Sequence, residues 1–473
     1  MVKRSCVLGL LLLLVVPATG WGWGEEGHRI VIESAAQALL GPPTSAIPVE
    51  PETFYRAQLP FLLEHVTDPD DWSVIDPDEA RRHYLDLELL GEDALSSLPA
   101  TYEEARARYG EETLKQAGTL PWTILEFVRG LTEAERQGDW ERSALLAAAL
   151  SHYVGDACMP LHTTVNYKGQ ETGNLILDDR TDHRHVHLRF EVAMLRAFET
   201  EVRAKVFART SRAREVTDPL ALVQELLRES HSRIDPILQA DKELTAKWQG
   251  RFTPEFYGDL YQRTGELATE QLARAAEATA SLWLYAWQAA GRPSMPEKRV
   301  AFGEGVALVE RMPITEPREA KGASPEVLEH RQTKVFRYQG VGYAIVTADW
   351  RAAGRFQASR KLREEEYQGL WQALEGAGVW EVAEAKPEAG KPAVTLAIAR
   401  SGRERRLTLV PQPAGAGGRP TDERPGRIIE AIRAIAPETP GPGRSASPGL
   451  PAPGSSAPSA ATGAETKGAP AVP

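Results

Sequence analysis

The feature that most constrains the fold is a helical periodicity through more than half of the chain. From about residue 25 to residue 291, apolar residues recur at intervals of three and four, which places them on one face of an α-helix. No stretch of this region alternates convincingly as a half-buried strand would. We therefore predict a mainly α chain whose all-α domain covers residues 23–291. Helices are predicted over residues 25–40, 103–116, 122–136, 140–156, 187–206, 219–232 and 259–290.

The helical periodicity ends after residue 291. Residues 292–332 carry proline and charge without a sustained period, so we interpret them as a linker. Alternating segments and two helical patterns then predict a small α+β domain over residues 333–436, with no nucleophile motif or ligand cluster of its own. Residues 437–473 are mainly Pro, Gly, Ser and Ala. Such a segment cannot offset its ordering entropy, so it is predicted to be disordered.

The N-terminus has the pattern of a secretory signal. Two basic residues precede an apolar run from Val7 to Val16, and small residues follow it. We predict that residues 1–22 are a signal peptide and that the protein is exported, either periplasmic or secreted. Cleavage before Trp21 is the alternative to the predicted cleavage before Trp23. The apolar run is short for a transmembrane helix, and no later segment approaches the roughly 20 apolar residues that a span needs.

Cysteine content and charge exclude some classes of protein. Cys6 lies in the predicted signal peptide, so an exported chain would keep only Cys158 and could form no internal disulfide. Cys158 is predicted to be a small buried packing residue. The net charge of −11 argues against a basic nucleic-acid footprint spread over the surface, although a local metal cluster can bind phosphate without one.

Two pairs of residues at helical spacing predict a metal site. His152 and Asp156 are four positions apart, so they share one helix face, and Pro160 ends that helix and lets His162 fold back toward it. His187 and Glu191 repeat the same spacing. A single helical histidine is usually an ordinary core or surface residue. The coincidence of several such residues indicates metal binding.

Further candidate ligands lie upstream. His83 follows Asp68 by fifteen positions and precedes Asp86 by three. The motif W-G-x-x-G-H runs from Trp23 to His28, directly after the predicted signal peptide. Cleavage before Trp23 would free an α-amino group that, when deprotonated, can bind a metal together with the carbonyl of the same residue.

The order and spacing of these residues resemble the zinc-dependent phospholipase C and S1/P1 nuclease superfamily over roughly residues 23–290. The W-G-x-x-G-H and D-x14-H-x-x-D elements resemble the nuclease branch. H-x3-D-x5-H is shared by both branches, whereas H-x3-E is closer to the phospholipase branch, because nucleases usually have Asp in that place. The resemblance implies an all-α zinc hydrolase domain.

The resemblance also implies three zinc ions. The first would be held by Asp68, His83, His152 and Asp156. The second would be held by Trp23 through its amine and carbonyl, by His28 and by a bridging Asp156. The third would be held by His162, His187 and Glu191. Nitrogen and oxygen ligands without thiolates suit zinc.

The implied reaction is hydrolysis of a phosphodiester by zinc-bound hydroxide, without a covalent enzyme intermediate. Asp68 and Asp86 are the predicted catalytic residues. Asp86 would orient or deprotonate the attacking water, and support of a ligand histidine is the alternative role. Tyr84 and Asn174 are the predicted substrate-binding residues. Tyr84 matches an aromatic that stacks on a base in nucleases, but phospholipases have an aromatic in this place too.

Three functions follow from these features. We predict an S1/P1-type nuclease that acts on single-stranded DNA or RNA. A zinc-dependent phospholipase C acting on phospholipid is the alternative, and a non-catalytic exported zinc-binding protein is the second alternative. Just after Asp68, where nucleases place a basic residue, this chain has Pro69-Asp70-Asp71-Trp72, which weakens the nuclease prediction.

Overall fold

The structure is a computed structural model that describes residues 23–39, 49–91, 93–177, 184–300, 303–311, 328–350, 354–386, 393–410 and 422–439. The predicted signal peptide lies outside the described residues, as does the predicted disordered tail from residue 440 onward. A helical region comes first and a region that contains both strands and helices follows, which confirms the prediction of a mainly α chain.

Each helix that the periodicity predicts has a helical counterpart in the structure, although those predicted over 103–116 and 187–206 are divided. The α-helices of the helical region are α1 (Gly24–Ala38), α2 (Val49–His65), α3 (Asp68–Ile75), α4 (Pro77–Ala80), α5 (Tyr102–Tyr109), α6 (Glu111–Ala117), α7 (Leu120–Gln137), α8 (Trp140–Ala157), α9 (Val186–Leu188), α10 (Leu195–Arg209), α11 (Pro219–His231), α12 (Ile234–Lys247) and α13 (Pro254–Ala289). Short 3₁₀ turns cover Arg81–His83, Leu87–Leu89, Ala94–Ser96 and Pro160–His162, and a π-helix covers Arg189–Met194. The helix predicted over 103–116 is split in two at Gly110, whose φ of +85° cannot continue a helix.

Two long helices organise the core of this region. α13 packs against α1, α7, α8 and α10. Trp283 and Trp287 on α13 are both buried, and the indole N–H of Trp283 donates to the Ala147 carbonyl of α8 at 3.2 Å. Every residue of α8 from Leu146 to Ala157 is buried. Polar residues in that stretch therefore lie deep inside the domain, where they need a partner.

The second region is a six-stranded antiparallel sheet with two helices. Its elements are β1 (Gly305–Arg311), β2 (Leu328–Tyr338), β3 (Val341–Trp350), β4 (Gly354–Lys361), α14 (Glu364–Gly376), β5 (Ala393–Arg400), β6 (Arg403–Leu409) and α15 (Arg424–Ile435). The strand order is β4-β3-β2-β1-β5-β6.

Part of the predicted linker is a strand. Residues 292–332 include all of β1 and the start of β2, and β1 is a central strand that pairs with β2 on one side and with β5 on the other. Its alternation is short and its neighbours are distant along the chain. Local pattern therefore gives little signal for it, since the pairing itself stabilises the strand.

The two faces of the sheet have different surroundings. Val306, Leu308 and Val335 lie on the face that forms a separate apolar core with α14 and α15. The other face is turned toward the helical region. On it, Tyr338 packs into the helical core, and its ring centroid lies 5.3 Å from that of Trp72 on α3.

A buried carboxyl group on α7 makes the stability of the fold depend on pH. Glu135 is fully buried, and one of its oxygens accepts a hydrogen bond from the Tyr55 hydroxyl at 2.7 Å. Burial raises the pKa of the Glu135 carboxyl to about 8. Because this pKa is higher in the folded than in the unfolded chain, the stabilisation is complete at low pH and is lost as the pH rises toward 8.

We predict that Glu135→Gln removes this dependence. The free energy of unfolding of the wild type, relative to that of the variant, should fall by about 1 kcal/mol per pH unit as the pH rises from about 5 to about 8. Urea titrations at matched zinc concentration would measure it. The control is Glu133→Gln on the same helix, where the side chain is 48% exposed. A parallel pH dependence in wild type and Glu135→Gln would contradict the prediction.

Candidate metal centre

α8 carries the two side chains on which the site is built. His152 and Asp156 lie on the same face of this helix, and both are fully buried. Cys158 follows the helix end and is also buried, and burial raises the pKa of its thiol to about 12. The thiol therefore stays neutral and packs in the core, as predicted.

The first group of candidate ligands comprises His28, His152 and Asp156, whose donor atoms lie within 4.8 Å of one another. His28 comes from α1, and its ring stacks on that of His152 with a centroid distance of 3.8 Å. A Cβ at Gly155 would lie 2.9 Å from Nδ1 of His28. Glycine at this position therefore allows α1 to bring its histidine against α8.

The second group comprises Asp70, His83 and His152, again with donor atoms within 4.8 Å of one another. Asp70 comes from α3 and His83 from the 3₁₀ turn Arg81–His83. Asp156 faces both groups, since its Oδ1 lies 3.5 Å from Nε2 of His28 and its Oδ2 lies 3.0 Å from Nδ1 of His83. This is the arrangement that a carboxylate shared between two cations requires.

The third group comprises His162, His187 and Glu191. Nε2 of His187 lies 2.8 Å and Nε2 of His162 lies 3.8 Å from Oε2 of Glu191. Glu191 belongs to the π-helix Arg189–Met194, a rare conformation that often occurs at functional sites. These are the three residues that the sequence assigned to the third zinc.

Backbone carbonyls orient two of the histidines. Nδ1 of His152 lies 2.8 Å from the carbonyl oxygen of Val66, and Nδ1 of His162 lies 2.6 Å from that of His83. A ring nitrogen that donates to a carbonyl leaves the other nitrogen as an electron-pair donor. In both rings that other nitrogen is Nε2, which lies 3.4 Å from Oδ2 of Asp156 in His152 and 3.8 Å from Oε2 of Glu191 in His162.

The chemistry of these groups fits a divalent cation. Burial lowers the pKa of His28, His83 and His152, so their imidazoles are neutral, which is the form that binds metal. Burial raises the pKa of Asp70 to about 8 and that of Asp156 to about 7. Both nitrogens of His28 and Oδ1 of Asp156 have no hydrogen-bond partner among the described residues. A cation would compensate both the buried carboxylates and the unpartnered donor atoms.

One predicted ligand, Asp68, lies outside the three groups. Its Oδ2 instead lies 2.7 Å from Nδ1 of His65. Asp70 occupies the place predicted for Asp68 beside His83 and His152. The reason is the start of α3 at Asp68, because two positions along a helix change the direction of a side chain by about 200°.

Trp23 lies next to the first group. Its side chain is fully buried, and a Cβ at Gly155 would lie 3.8 Å from its ring as well as 2.9 Å from His28. Its carbonyl accepts a hydrogen bond from the Gly27 N–H at 3.1 Å, inside the first turn of α1. Residues 1–22 lie outside the described ones, so the amine ligand stays a prediction.

The segment that carries Asp86 and Tyr84 runs alongside the third group. The Leu85 N–H donates to the His162 carbonyl at 2.9 Å. Tyr84 is half-buried. Its carbonyl oxygen lies so close to Gly118 that a Cβ at that position would be 2.1 Å from it, so only glycine permits the two segments to come this close. Burial and the negative charge of Glu88 raise the pKa of Asp86 to about 7. Asp86 is half-buried and lies outside the three groups.

The structure does not support Asn174 as a substrate-binding residue. Its amide nitrogen donates to the Leu238 carbonyl at 2.9 Å and to Asp241 at 2.8 Å, and its oxygen accepts from the Thr172 hydroxyl at 2.7 Å. Asn174 is buried, and these contacts engage both ends of its amide. Its observed role is to fix a loop to α12.

Sequence reasoning missed a buried ion pair beside the third group. Arg189 and Asp241 are both fully buried, with two charge-assisted hydrogen bonds of 2.6 and 2.7 Å. Arg189 lies between His187 and Glu191 in sequence, so this pair anchors the turn that carries both candidate ligands. The only local signal was a lone Asp at a buried position of the α12 periodicity.

Comparisons with known proteins give little further support. No protein-family model and no curated protein matches this sequence. Among solved structures, alpha toxin from Clostridium absonum is similar at 12% identity and a TM-score of 0.36, over 82% of this chain and 96% of that chain. Alpha-toxin from an avian strain of Clostridium perfringens is similar at 10% identity and a TM-score of 0.32, over 83% and 98%. TM-scores this low do not establish a shared fold.

Among the described residues, no helix combines the length and the apolar character needed to cross a bilayer.

We predict that metal content distinguishes Asp70 from Asp68. Asp70→Asn should lose about one zinc ion per chain, because an amide is a much weaker ligand than a carboxylate. Asp68→Asn should keep the zinc content of the wild type, since its carboxylate contacts His65 instead. Elemental analysis of the purified variants would measure both. Loss of zinc from Asp68→Asn with retention in Asp70→Asn would restore the sequence-based assignment.

Proposed function

We propose that this chain is a zinc-dependent phosphoesterase that hydrolyses phosphodiester bonds. The observation that carries the proposal is the clustering of three buried groups of nitrogen and oxygen donors. Two of the groups share His152, and Asp156 of one lies 3.0 Å from His83 of the other. Nitrogen-rich sites without thiolate suit zinc, and two adjacent cations are a common arrangement in phosphodiester hydrolysis. A bound zinc would act as a Lewis acid and lower the pKa of water.

The residues of the chain would hold the reactants in place. The metal of the first two groups would be held by His28, Asp70, His83, His152 and Asp156. Oxygens of the leaving alcohol would face the third group, His162, His187 and Glu191. Asp86, whose pKa is raised to about 7, is suited to orient a water and accept its proton near neutral pH.

The residues favour a phospholipid substrate, so the alternative of a zinc-dependent phospholipase C now comes first. The D-x14-H spacing that resembled the nuclease branch starts at Asp68, but the group contains Asp70. The carboxylate after His187 is Glu191, as in the phospholipase branch. Asn174, the loose match to a nuclease loop, is engaged by Asp241 and other protein groups.

Single-stranded nucleic acid remains the second candidate substrate. Two features favour it: the W-G-x-x-G-H motif from Trp23 to His28, and the aromatic residue Tyr84, which is half-buried beside the site. Base stacking on such a ring contributes roughly 1 to 3 kcal/mol.

We predict zinc-dependent hydrolysis of at least one phosphodiester. Phosphatidylcholine vesicles, single-stranded DNA and RNA should be compared with and without a chelator, because each activity must disappear with the metal if the donor groups hold it. Release of phosphorylcholine and of nucleotides would be measured directly. Zinc added back after chelation should restore the activity.

The matched control for this comparison is Asp156→Asn, which keeps the size of the side chain and removes the shared carboxylate. Its activity should fall in parallel with its zinc content. Absence of hydrolysis of all three substrates by the zinc-loaded wild type would leave the non-catalytic zinc-binding protein as the explanation.

We predict that Asp86→Asn lowers kcat by about 10² or more without loss of zinc. A residue that orients or deprotonates water acts on the reaction and not on metal affinity. A residue that merely supports a ligand histidine would instead lose metal. Steady-state kinetics and elemental analysis of the same preparation would separate the two roles. Unchanged kcat in a fully loaded variant would exclude Asp86 from the reaction.

A further inference from the structure

A cavity of about 470 Å³ lies between the helical region and the sheet. On the helical side its lining includes Gly24, Asp68, Asp70 and Asp71. Asp70 belongs to the second group of candidate ligands. The cavity therefore borders the metal centre, and the sheet forms its opposite wall.

A row of five side chains, four of them polar, crosses that wall. Gln332 on β2 pairs with Thr347 on β3, which pairs in turn with Gln357 on β4. On the other side Gln332 pairs with Val309 of β1, which pairs with Thr395 on β5. All five residues line the cavity. Because directly paired residues project to the same face of a sheet, this row presents amides and hydroxyls to one space.

The next row adds a cation close to the metal centre. Lys334, two residues beyond Gln332 on β2, also lines the cavity, and its Nζ lies 2.5 Å from Oδ2 of Asp71. Lys334 of the sheet therefore places an ammonium group beside the acidic run of α3. The residue that it contacts, Asp71, follows the candidate ligand Asp70 directly.

Further contacts fix this wall relative to the site. The Tyr338 hydroxyl lies 3.4 Å from Oε2 of Glu79, and the other oxygen of Glu79 accepts a hydrogen bond from Tyr153, the neighbour of His152. Tyr338 is itself part of the helical core. The sheet is therefore joined to the helix that carries His152 and Asp156 through a buried carboxylate.

Packing does not account for the polar row. The opposite face of the same strands carries the apolar residues that pack on α14 and α15. An exposed sheet face would also be polar, but Thr347 is only 8% exposed, and Gln332, Gln357 and Thr395 are all half-buried. These side chains face a partly open cavity next to candidate ligands.

We propose that this face of the sheet binds the polar alcohol portion of the phosphoester whose phosphate lies at the metal centre, with Gln332 and Thr395 as specificity-determining residues. The inference rests on the proposed function. A hydroxyl- or amine-bearing substituent matches amide and hydroxyl groups, whereas an acyl chain would leave them without partners. Such a substituent could be a phospholipid headgroup or the sugar of a nucleotide.

The test is direct binding of two small phosphate monoesters. Phosphoethanolamine and thymidine 5′-monophosphate would each be titrated into the zinc-loaded full chain by calorimetry. We expect one of them to bind, and Thr395→Val and Gln332→Leu each to raise its Kd about three- to tenfold, the effect of one lost hydrogen bond. The ligand that binds identifies the source of the alcohol.

A matched control lies on the neighbouring strand. Thr408 on β6 pairs directly with Thr395 but does not line the cavity, so Thr408→Val makes the same chemical change outside it and should leave Kd unchanged. Thr395→Ser retains the hydroxyl and should bind like the wild type. The proposal is overturned if neither ligand binds to the wild type, or if Thr395→Val and Gln332→Leu bind as tightly as the wild type.

Hydrolysis of bis(4-nitrophenyl) phosphate separates this proposal from the proposed function. Its 4-nitrophenyl groups carry no hydroxyl or amine, so the two sheet variants should hydrolyse it at the rate of the wild type. Failure of the wild type to hydrolyse any phosphodiester refutes the enzyme, whereas the calorimetric result decides the role of the sheet. An equal loss of hydrolysis and of binding in the sheet variants would mean that they distort the metal centre, which also overturns the proposal.

Discussion

The arrangement of the helical region depends on one buried carboxylate. Asp156 lies on a stretch of α8 whose residues are all buried, and isolating an ionised carboxylate from water costs several kcal/mol even after relaxation. Three of the imidazoles around it, His28, His83 and His152, have a pKa lowered by burial, so they do not supply positive charge near neutral pH. A bound cation would supply that charge. It would then contribute to the stability of this core as well as to the reaction.

Local geometry explains which parts of the site could be predicted from the sequence. His152 is four positions from Asp156, and His187 is four positions from Glu191. On a helix this spacing brings the two side chains of each pair together, independently of the packing of the rest of the chain. Asp70 could not be distinguished from Asp68 in the same way. Both are acids in one short run, and the choice depends on how α3 packs against distant elements.

The same distinction applies to the fold. The long helices follow from their apolar spacing, whereas β1 was assigned to a linker because its stability comes from β2 and β5, which lie elsewhere in the sequence. Asn174 was predicted to bind substrate because the residues that it contacts on α12 are also distant from it in the sequence. Nothing near it in sequence shows that Asp241, on α12, engages both its amide and the guanidinium of Arg189.

The three aspartates at the start of α3, Asp68, Asp70 and Asp71, have different partners. Asp68 contacts His65 on α2, and Asp71 contacts Lys334 on the sheet, so each has a basic partner outside the metal centre. Asp70 has none among the ion pairs of the described residues except the imidazole of His152, 3.6 Å away. The sheet therefore contacts the acidic run through Lys334, at the residue next to the candidate ligand Asp70.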